Sequence, residues 1–88
     1  MAPLQELDFA EFLEDFGPSM ESGGVRSYAA RGERGTIVHM VRVKDEEWCV
    51  VEILGPIVNG WGPTVALVDV PARLLKKAER DERAIDHG

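Results

Sequence analysis

The stretch GTIVHMVRVKDEEWCVVEIL, residues 35–54, decides the fold because it has the pattern of two β-strands joined by a charged turn. Residues 35–43 and 47–54 are rich in β-branched and apolar side chains, which favour strands. The lysine, aspartate and glutamate at positions 44–46 separate the two runs. The stretch therefore predicts a β-hairpin at the centre of the chain.

Both faces of the second predicted strand carry apolar side chains. Side chains alternate along a strand, so Cys49, Val51 and Ile53 share one face, whereas Trp48 and Val50 lie on the other. An antiparallel sheet with one face in water would have a polar second face. We therefore expect the face with Trp48 and Val50 either to be covered by a helix formed by the N-terminal residues or to form an interface.

The segments that flank the hairpin predict helices. In the sequence LDFAEFLEDFGP, residues 7–18, Asp8 is a candidate helix N-cap, apolar residues recur at helical spacing, and Gly17 and Pro18 end the pattern. This pattern predicts a short helix at residues 9–16. At the other end, Pro71 and the apolar residues after it predict a second helix over residues 71–84, which fades towards the C-terminus.

The whole pattern predicts a single domain over residues 1–88, of α+β or mostly β class. A flexible loop at residues 19–24 precedes a small antiparallel barrel over residues 25–70, and short helices flank this barrel. A third strand is predicted at residues 64–70. The loop before this strand is rich in Gly and Pro and contains Trp61, which is a further interface candidate.

The charge balance restricts the kind of partner. The 88 residues contain 10 Lys and Arg against 16 Asp and Glu, which gives a net charge of −6. An acidic chain repels phosphate groups, so a protein partner is favoured over nucleic acid or an anionic membrane. Cys49 is the single cysteine, and the first residues lack the basic and apolar regions of a signal peptide. These features predict a cytoplasmic location.

Catalytic and metal-binding patterns are weak in this sequence. His39 and His87 are the only histidines and, like Cys49, they stand in no metal-ligand spacing. Cys49 has the surroundings of a small buried hydrophobic residue rather than those of a nucleophile. The sequence predicts no metal site, no cofactor in this chain and no enzymatic activity of the chain by itself.

The segment Gly32-Glu33-Arg34-Gly35 could either bind a phosphate or turn the chain. It lacks the Gly-Lys-Ser/Thr of a P-loop, and Gly35 leads into a strand rather than a helix. We therefore expect a turn in which the glycines adopt positive φ. The nearby Arg26, Arg31 and Arg34 are candidates for contact with carboxylates or oxyanions of a partner, because a guanidinium fork suits both. The alternative is a set of local ion pairs on the surface.

Four short motifs between residues 23 and 76 occur in the same order as in a known family. They are GGVRSYAARGERGTIV, EWCVVEI, GWGP and VALVDVPARLL. In this order they resemble the C-terminal SH3-like barrel of nitrile hydratase β subunits. The chain also resembles an uncharacterised family of small bacterial SH3-like barrels, and this second resemblance implies no chemistry.

The hydratase resemblance implies an SH3-like fold and a role as a subunit. In that family the α subunit carries the cobalt or iron and its oxidised cysteine ligands. Arginines of the β subunit hydrogen-bond the oxygens of those cysteines. By this resemblance Arg26 would make one such contact to an α-type partner.

Two functions of different classes are compatible with these observations. The first is a non-catalytic, protein-binding SH3-like barrel, most specifically a small β-type subunit or accessory of a nitrile-hydratase-like metalloenzyme. The second is a stand-alone acidic regulator or inhibitor, such as an immunity factor or phage-type antagonist, that binds a basic protein through Asp45, Glu46 and Glu47. Salt should slow the association of an acidic antagonist steeply and affect a hydrophobic subunit interface little.

Overall fold

The computed structural model describes residues 4–56, 59 and 62–79 of the chain. Within these ranges the backbone forms seven strands and one 3-10 turn. The strands are β1 (Phe9–Phe12), β2 (Glu21–Ser22), β3 (Val25–Arg26), β4 (Arg34–Val43), β5 (Glu46–Leu54), β6 (Thr64–Pro71) and β7 (Leu75–Lys77), and the 3-10 turn (Ala72–Leu74) joins β6 to β7.

The strands form one sheet in the order β2-β3-β6-β5-β4-β1-β7. The three long strands β4, β5 and β6 are consecutive antiparallel neighbours, and the hairpin between β4 and β5 turns at Lys44 and Asp45. This is the hairpin that the sequence predicts. The first strand, β1, lies antiparallel between β4 and β7, so the two ends of the described chain meet in the sheet.

The buried side chains form one cluster to which all the long strands contribute. Its members are Ala10 and Phe12 of β1, Ala29, Ile37 of β4, Cys49, Val51 and Ile53 of β5, Ala66, Val68 and Val70 of β6, and Leu74 and Leu75 at the 3-10 turn. Because one sheet supplies a single cluster, the sheet must curl so that one of its faces surrounds the core. The alternation predicted for β5 is confirmed, because Cys49, Val51 and Ile53 lie on one face of the sheet.

The predicted helix at residues 9–16 is wrong, because strand β1 begins at Phe9. Ala10 and Phe12 are fully buried, whereas Phe9 and Glu11 are only half-buried, which is the alternation of a strand. A helix of eight residues is marginal without tertiary support. The extended segment instead makes backbone hydrogen bonds on both sides, to β4 and to β7.

The predicted C-terminal helix over residues 71–84 is also wrong as far as the structure describes it. Residues 72–74 make a 3-10 turn, and Leu75 begins β7, where it lies opposite Phe12. Residues 80–84 of this prediction lie outside the described residues. The predicted fold class, a small barrel with a helix at each end, is therefore wrong, and the described chain is mostly sheet. Across the same residues, no helix is long and apolar enough to cross a membrane.

The predicted flexible loop at residues 19–24 contains strand β2, which pairs with β3 across Gly23 and Gly24. The predicted turn before β4 is present, and Gly32 has the expected positive φ of 91°. Gly35 differs, because it lies inside β4. A Cβ atom there would stand 2.5 Å from the carbonyl oxygen of Glu52, so this glycine allows close approach of two strands.

Candidate functional site

Arg26, the residue that the resemblance singles out, forms a two-pronged ion pair within the chain. Its Nη1 and Nη2 atoms each donate to one carboxylate oxygen of Glu33 at 3.0 Å. The Arg26 guanidinium also lies over the Tyr28 ring, with Cζ 5.4 Å from the ring centroid. Glu33 accepts a further hydrogen bond from the backbone N–H of Ala30 at 2.8 Å. These contacts tie together the segment that connects β3 to β4.

This ion pair shifts the pKa of both partners towards their charged forms. The hydrogen bond with Arg26 holds the pKa of Glu33 below its ordinary value, and the same bond raises the pKa of Arg26. A carboxyl group whose pKa is lowered by folding stabilises the protein above its unfolded-state pKa. That contribution is lost as the pH falls through the folded-state pKa.

Replacing Glu33 by glutamine should lower the free energy of unfolding by about 1 kcal/mol at neutral pH, because the amide cannot carry the charge that pairs with Arg26. The variant should also lose less stability than the wild type when the pH falls below the ordinary glutamate value of 4.5. Urea unfolding across this pH range measures both effects.

Glu47→Gln is the matched control for Glu33→Gln, because Glu47 makes an exposed ion pair with Arg42. It should change the free energy of unfolding by only a few tenths of a kcal/mol. Equal acid sensitivity of the wild type and Glu33→Gln would show that the Arg26 pair contributes nothing to stability.

The other two predicted arginines lie near the start of β4. Arg34 donates from Nε to Glu11 of β1 at 3.0 Å, and half of its side chain is exposed. Arg31 is exposed, and its backbone N–H donates to Asp15 at 2.8 Å. The structure therefore shows local ion pairs for Arg26 and Arg34, which was the alternative to contact with a partner.

Trp48, the predicted interface residue of β5, lies on the opposite face of β5 from Cys49 and packs against Phe16, which also packs against the buried core cluster. The two ring centroids are 6.1 Å apart with an interplanar angle of 66°, an edge-to-face arrangement. Trp48 lies opposite Val41 of β4 and Pro71 of β6. Both rings are half-buried and Val41 is 44% exposed. We call Phe16, Trp48 and Val41 the aromatic patch.

Phe16 is a part of this site that the sequence analysis missed. The helix interpretation put Phe16 on the same apolar stripe as Phe12. In the structure Phe12 is fully buried in the core, whereas Phe16 is only half-buried, packs against that core and also contacts Trp48. Phe16 is held by reciprocal backbone hydrogen bonds with Ala29, each 2.9 Å long. Gly17 and Pro18 signal a change of direction after Phe16, but no local pattern identifies its distant partner.

Carboxylates lie next to both rings in the chain. Asp15 precedes Phe16, and the β4–β5 turn brings Asp45, Glu46 and Glu47 just before Trp48. Glu46 accepts from Arg73 at 2.7 Å and Glu47 accepts from Arg42 at 3.3 Å, both on the surface. Asp45 makes no ion pair with any residue that the structure describes. The surroundings of the aromatic patch are therefore rich in exposed charge, as expected for an acidic chain.

Val50, the second interface candidate, lies on the same outer face one row away. It is half-buried, with His39 of β4 opposite it on one side and Asp69 of β6 on the other. Further along this face, Leu67 is 43% exposed. The third candidate, Trp61, lies outside the described residues. The outer face of the long strands thus combines apolar and charged side chains.

Cys49 is confirmed as a small buried hydrophobic residue. Its side chain is fully buried in the core, and burial raises the pKa of the thiol to about 11. The thiol therefore stays protonated near neutral pH and is a poor nucleophile. In the ranges described, no three His, Cys, Asp or Glu side chains come together where they could hold a metal ion.

The chain matches no protein family model, no curated protein and no solved structure. Its function must therefore be argued from the aromatic patch, the arginine pair and the charge distribution.

Proposed function

We propose that this protein is a non-catalytic protein-binding module whose aromatic patch contacts a basic segment of a partner protein. The observation that carries the proposal is the edge-to-face pair of Phe16 and Trp48. Partly buried aromatic rings of this kind supply much of the energy of protein interfaces, because they bury a large area with few rotatable bonds.

The charge of the chain supports a basic partner. The net charge is −6, and exposed Asp45 adjoins the β5 residues that lead to Trp48. Such a surface attracts cations and speeds their encounter at low ionic strength. This proposal includes the acidic regulator or inhibitor as its simplest form. It also includes a cytoplasmic location, which is supported by the single cysteine. It includes no role for nucleic acid, because an acidic chain repels phosphate groups.

A narrower proposal makes the protein a β-type subunit or accessory of a nitrile-hydratase-like enzyme. It is supported by the ordered motifs and by Arg26, whose guanidinium side chain is 24% exposed. An α-type partner would supply the cobalt or iron, while Arg26 would donate to its cysteine oxygens. Because Glu33 already occupies the fork of Arg26, this contact requires the partner oxygen to replace or supplement Glu33.

Replacing Trp48 by alanine should weaken the binding of a partner roughly tenfold or more, because truncation removes the larger ring of the aromatic patch. The partner would first be captured with the immobilised wild-type protein from a lysate of its own source and identified. Calorimetric titration of the purified pair then gives the dissociation constant for each variant. Leu67→Ala is the matched control, since Leu67 is an exposed apolar residue on a neighbouring strand.

Two measurements on the same complex separate the proposals. A basic partner should associate more slowly as salt rises and should be sensitive to Trp48→Ala. A metal-containing α-type partner should be held at high salt and should be weakened by Arg26→Lys, which keeps the charge and removes the fork. Binding that is unaffected by Trp48→Ala would contradict the assignment of the aromatic patch.

A further inference from the structure

Strand β4 has a free edge in the half that leads to the hairpin turn. Its first residues pair with β1, and Ile37 exchanges backbone hydrogen bonds with Leu7 and Asp8. After the bulge between Ile37 and His39, no described strand lies on this side of β4. The edge is not blunted by a proline, and Val41 and Val43 on it are 44% and 47% exposed. Edges of this kind accept an added strand.

The register of the hairpin determines which backbone groups point outwards from this edge. Val43 and Glu46 flank the two-residue turn, so they form a hydrogen-bonded pair within the hairpin. By alternation Val41 also bonds inwards to β5, while Met40 and Arg42 direct their N–H and C=O groups outwards. The Met40 N–H confirms this direction, because it donates to the Glu6 carboxylate at 3.3 Å instead of to a strand.

We propose that this edge pairs with the same edge of a second copy of the chain, antiparallel, about a twofold axis at Val41. In that register Met40 of each copy lies opposite Arg42 of the other. Both residues have outward-facing backbone groups, so each of the two pairs can exchange two hydrogen bonds. Val41 lies opposite its own counterpart and both valines become covered.

Charge favours the register with its axis at Val41 over the register with its axis at Arg42. Moving the axis to Arg42 would place two guanidinium groups directly opposite each other, which is destabilising. With the axis at Val41, Arg42 instead arrives beside Glu6, whose carboxylate is displaced from the Met40 N–H. The same Glu6 oxygen also lies 3.4 Å from Nδ1 of His39 on this edge. An ion pair between copies would therefore replace the hydrogen bond to Met40 and compete with the contact to His39. The proposal rests on the strand edge, and it shares Val41 with the aromatic patch, so the dimer would cover that member of the patch.

Opposite charges at position 41 provide a direct test. Sedimentation velocity of the wild type should show a reversible dimer as the concentration rises from about 10 μM to about 1 mM. Val41→Glu and Val41→Lys each place like charges opposite one another, so each variant alone should dimerise at least about tenfold more weakly. An equimolar mixture of the two should recover the dimer, because glutamate then faces lysine.

Two further variants keep the test decisive if a charge at position 41 disturbs the fold. Arg42→Pro removes an outward-facing N–H and should abolish the dimer, whereas Arg42→Ala retains that N–H and should dimerise more strongly than Arg42→Pro. Leu67→Glu, on the outer face of β6, should leave the dimer intact, and circular dichroism checks the fold of every variant.

A wild type that stays monomeric at 1 mM would overturn the proposal. The proposal would also be overturned if the equimolar mixture of Val41→Glu and Val41→Lys failed to form the dimer. The same holds if Leu67→Glu lost the dimer while the variants at positions 41 and 42 kept it.

Discussion

Replacing Phe12 by alanine is expected to lower the free energy of unfolding by about 3–5 kcal/mol. The Phe12 side chain is fully buried in the core, and Phe12 is among the largest buried residues. Truncation removes its apolar contacts and leaves a cavity that the surrounding strands cannot fill. Domains of this size are stable by only about 4–13 kcal/mol, so the variant should be close to partial unfolding at room temperature. Urea unfolding followed by tryptophan fluorescence measures the loss.

Leu13→Ala is the control for Phe12→Ala, because the two variants together distinguish a strand from a helix at these residues. Leu13 follows Phe12 but is 42% exposed, so its truncation should cost no more than about 0.5 kcal/mol. A helix at residues 9–16 would have put both side chains on the same buried stripe. Similar losses for the two variants would therefore contradict the strand assignment of β1.

Replacing Gly17 by alanine is expected to cost about 2–4 kcal/mol, for two additive reasons. Gly17 has a φ of 107°, a conformation that residues with a Cβ atom rarely adopt. A Cβ atom would also collide with the backbone oxygen of Ser27 and stand 2.8 Å from the Cα of Tyr28. Since both obstacles belong to the backbone, neither can move aside as a flexible side chain would. Thermal unfolding by circular dichroism measures the change.

Gly32→Ala separates conformational strain from collision. Gly32 also has a positive φ, of 91°, but a Cβ atom there would have no neighbour within 4 Å. Its replacement should therefore cost about 1–2 kcal/mol, the strain alone. If Gly17→Ala were no more costly than Gly32→Ala, the close packing of the Phe16 turn against the β3–β4 connection would be wrong.

The aromatic patch depends on the turn at Gly17, so the substitution at Gly17 should affect partner binding as well as stability. Gly17 directly follows Phe16, and the backbone hydrogen bonds between Phe16 and Ala29 hold the ring against Trp48. A collision at Gly17 would displace Phe16 from the aromatic patch. We therefore expect Gly17→Ala to weaken partner binding even at temperatures at which the variant remains folded.

The central hairpin and its two faces were predictable from the sequence because they depend on neighbouring residues. Alternation placed Cys49, Val51 and Ile53 together on one face of β5 and Trp48 on the other, and in the structure the first of these faces is buried. Gly32 was recognisable as a turn residue for the same local reason. The acidic charge of the chain, which favours a basic partner, is a property of composition alone.

The ends of the sheet and the site were decided by pairing between distant segments. Residues 9–12 fit helical spacing as well as strand alternation, and the choice was made by β4 and β7, which offer hydrogen bonds on both sides of β1. The contact of Phe16 with Trp48 likewise joins segments that no local pattern relates. A short amphipathic segment carries too little helical stability of its own to resist such pairing, so tertiary contacts determine its conformation.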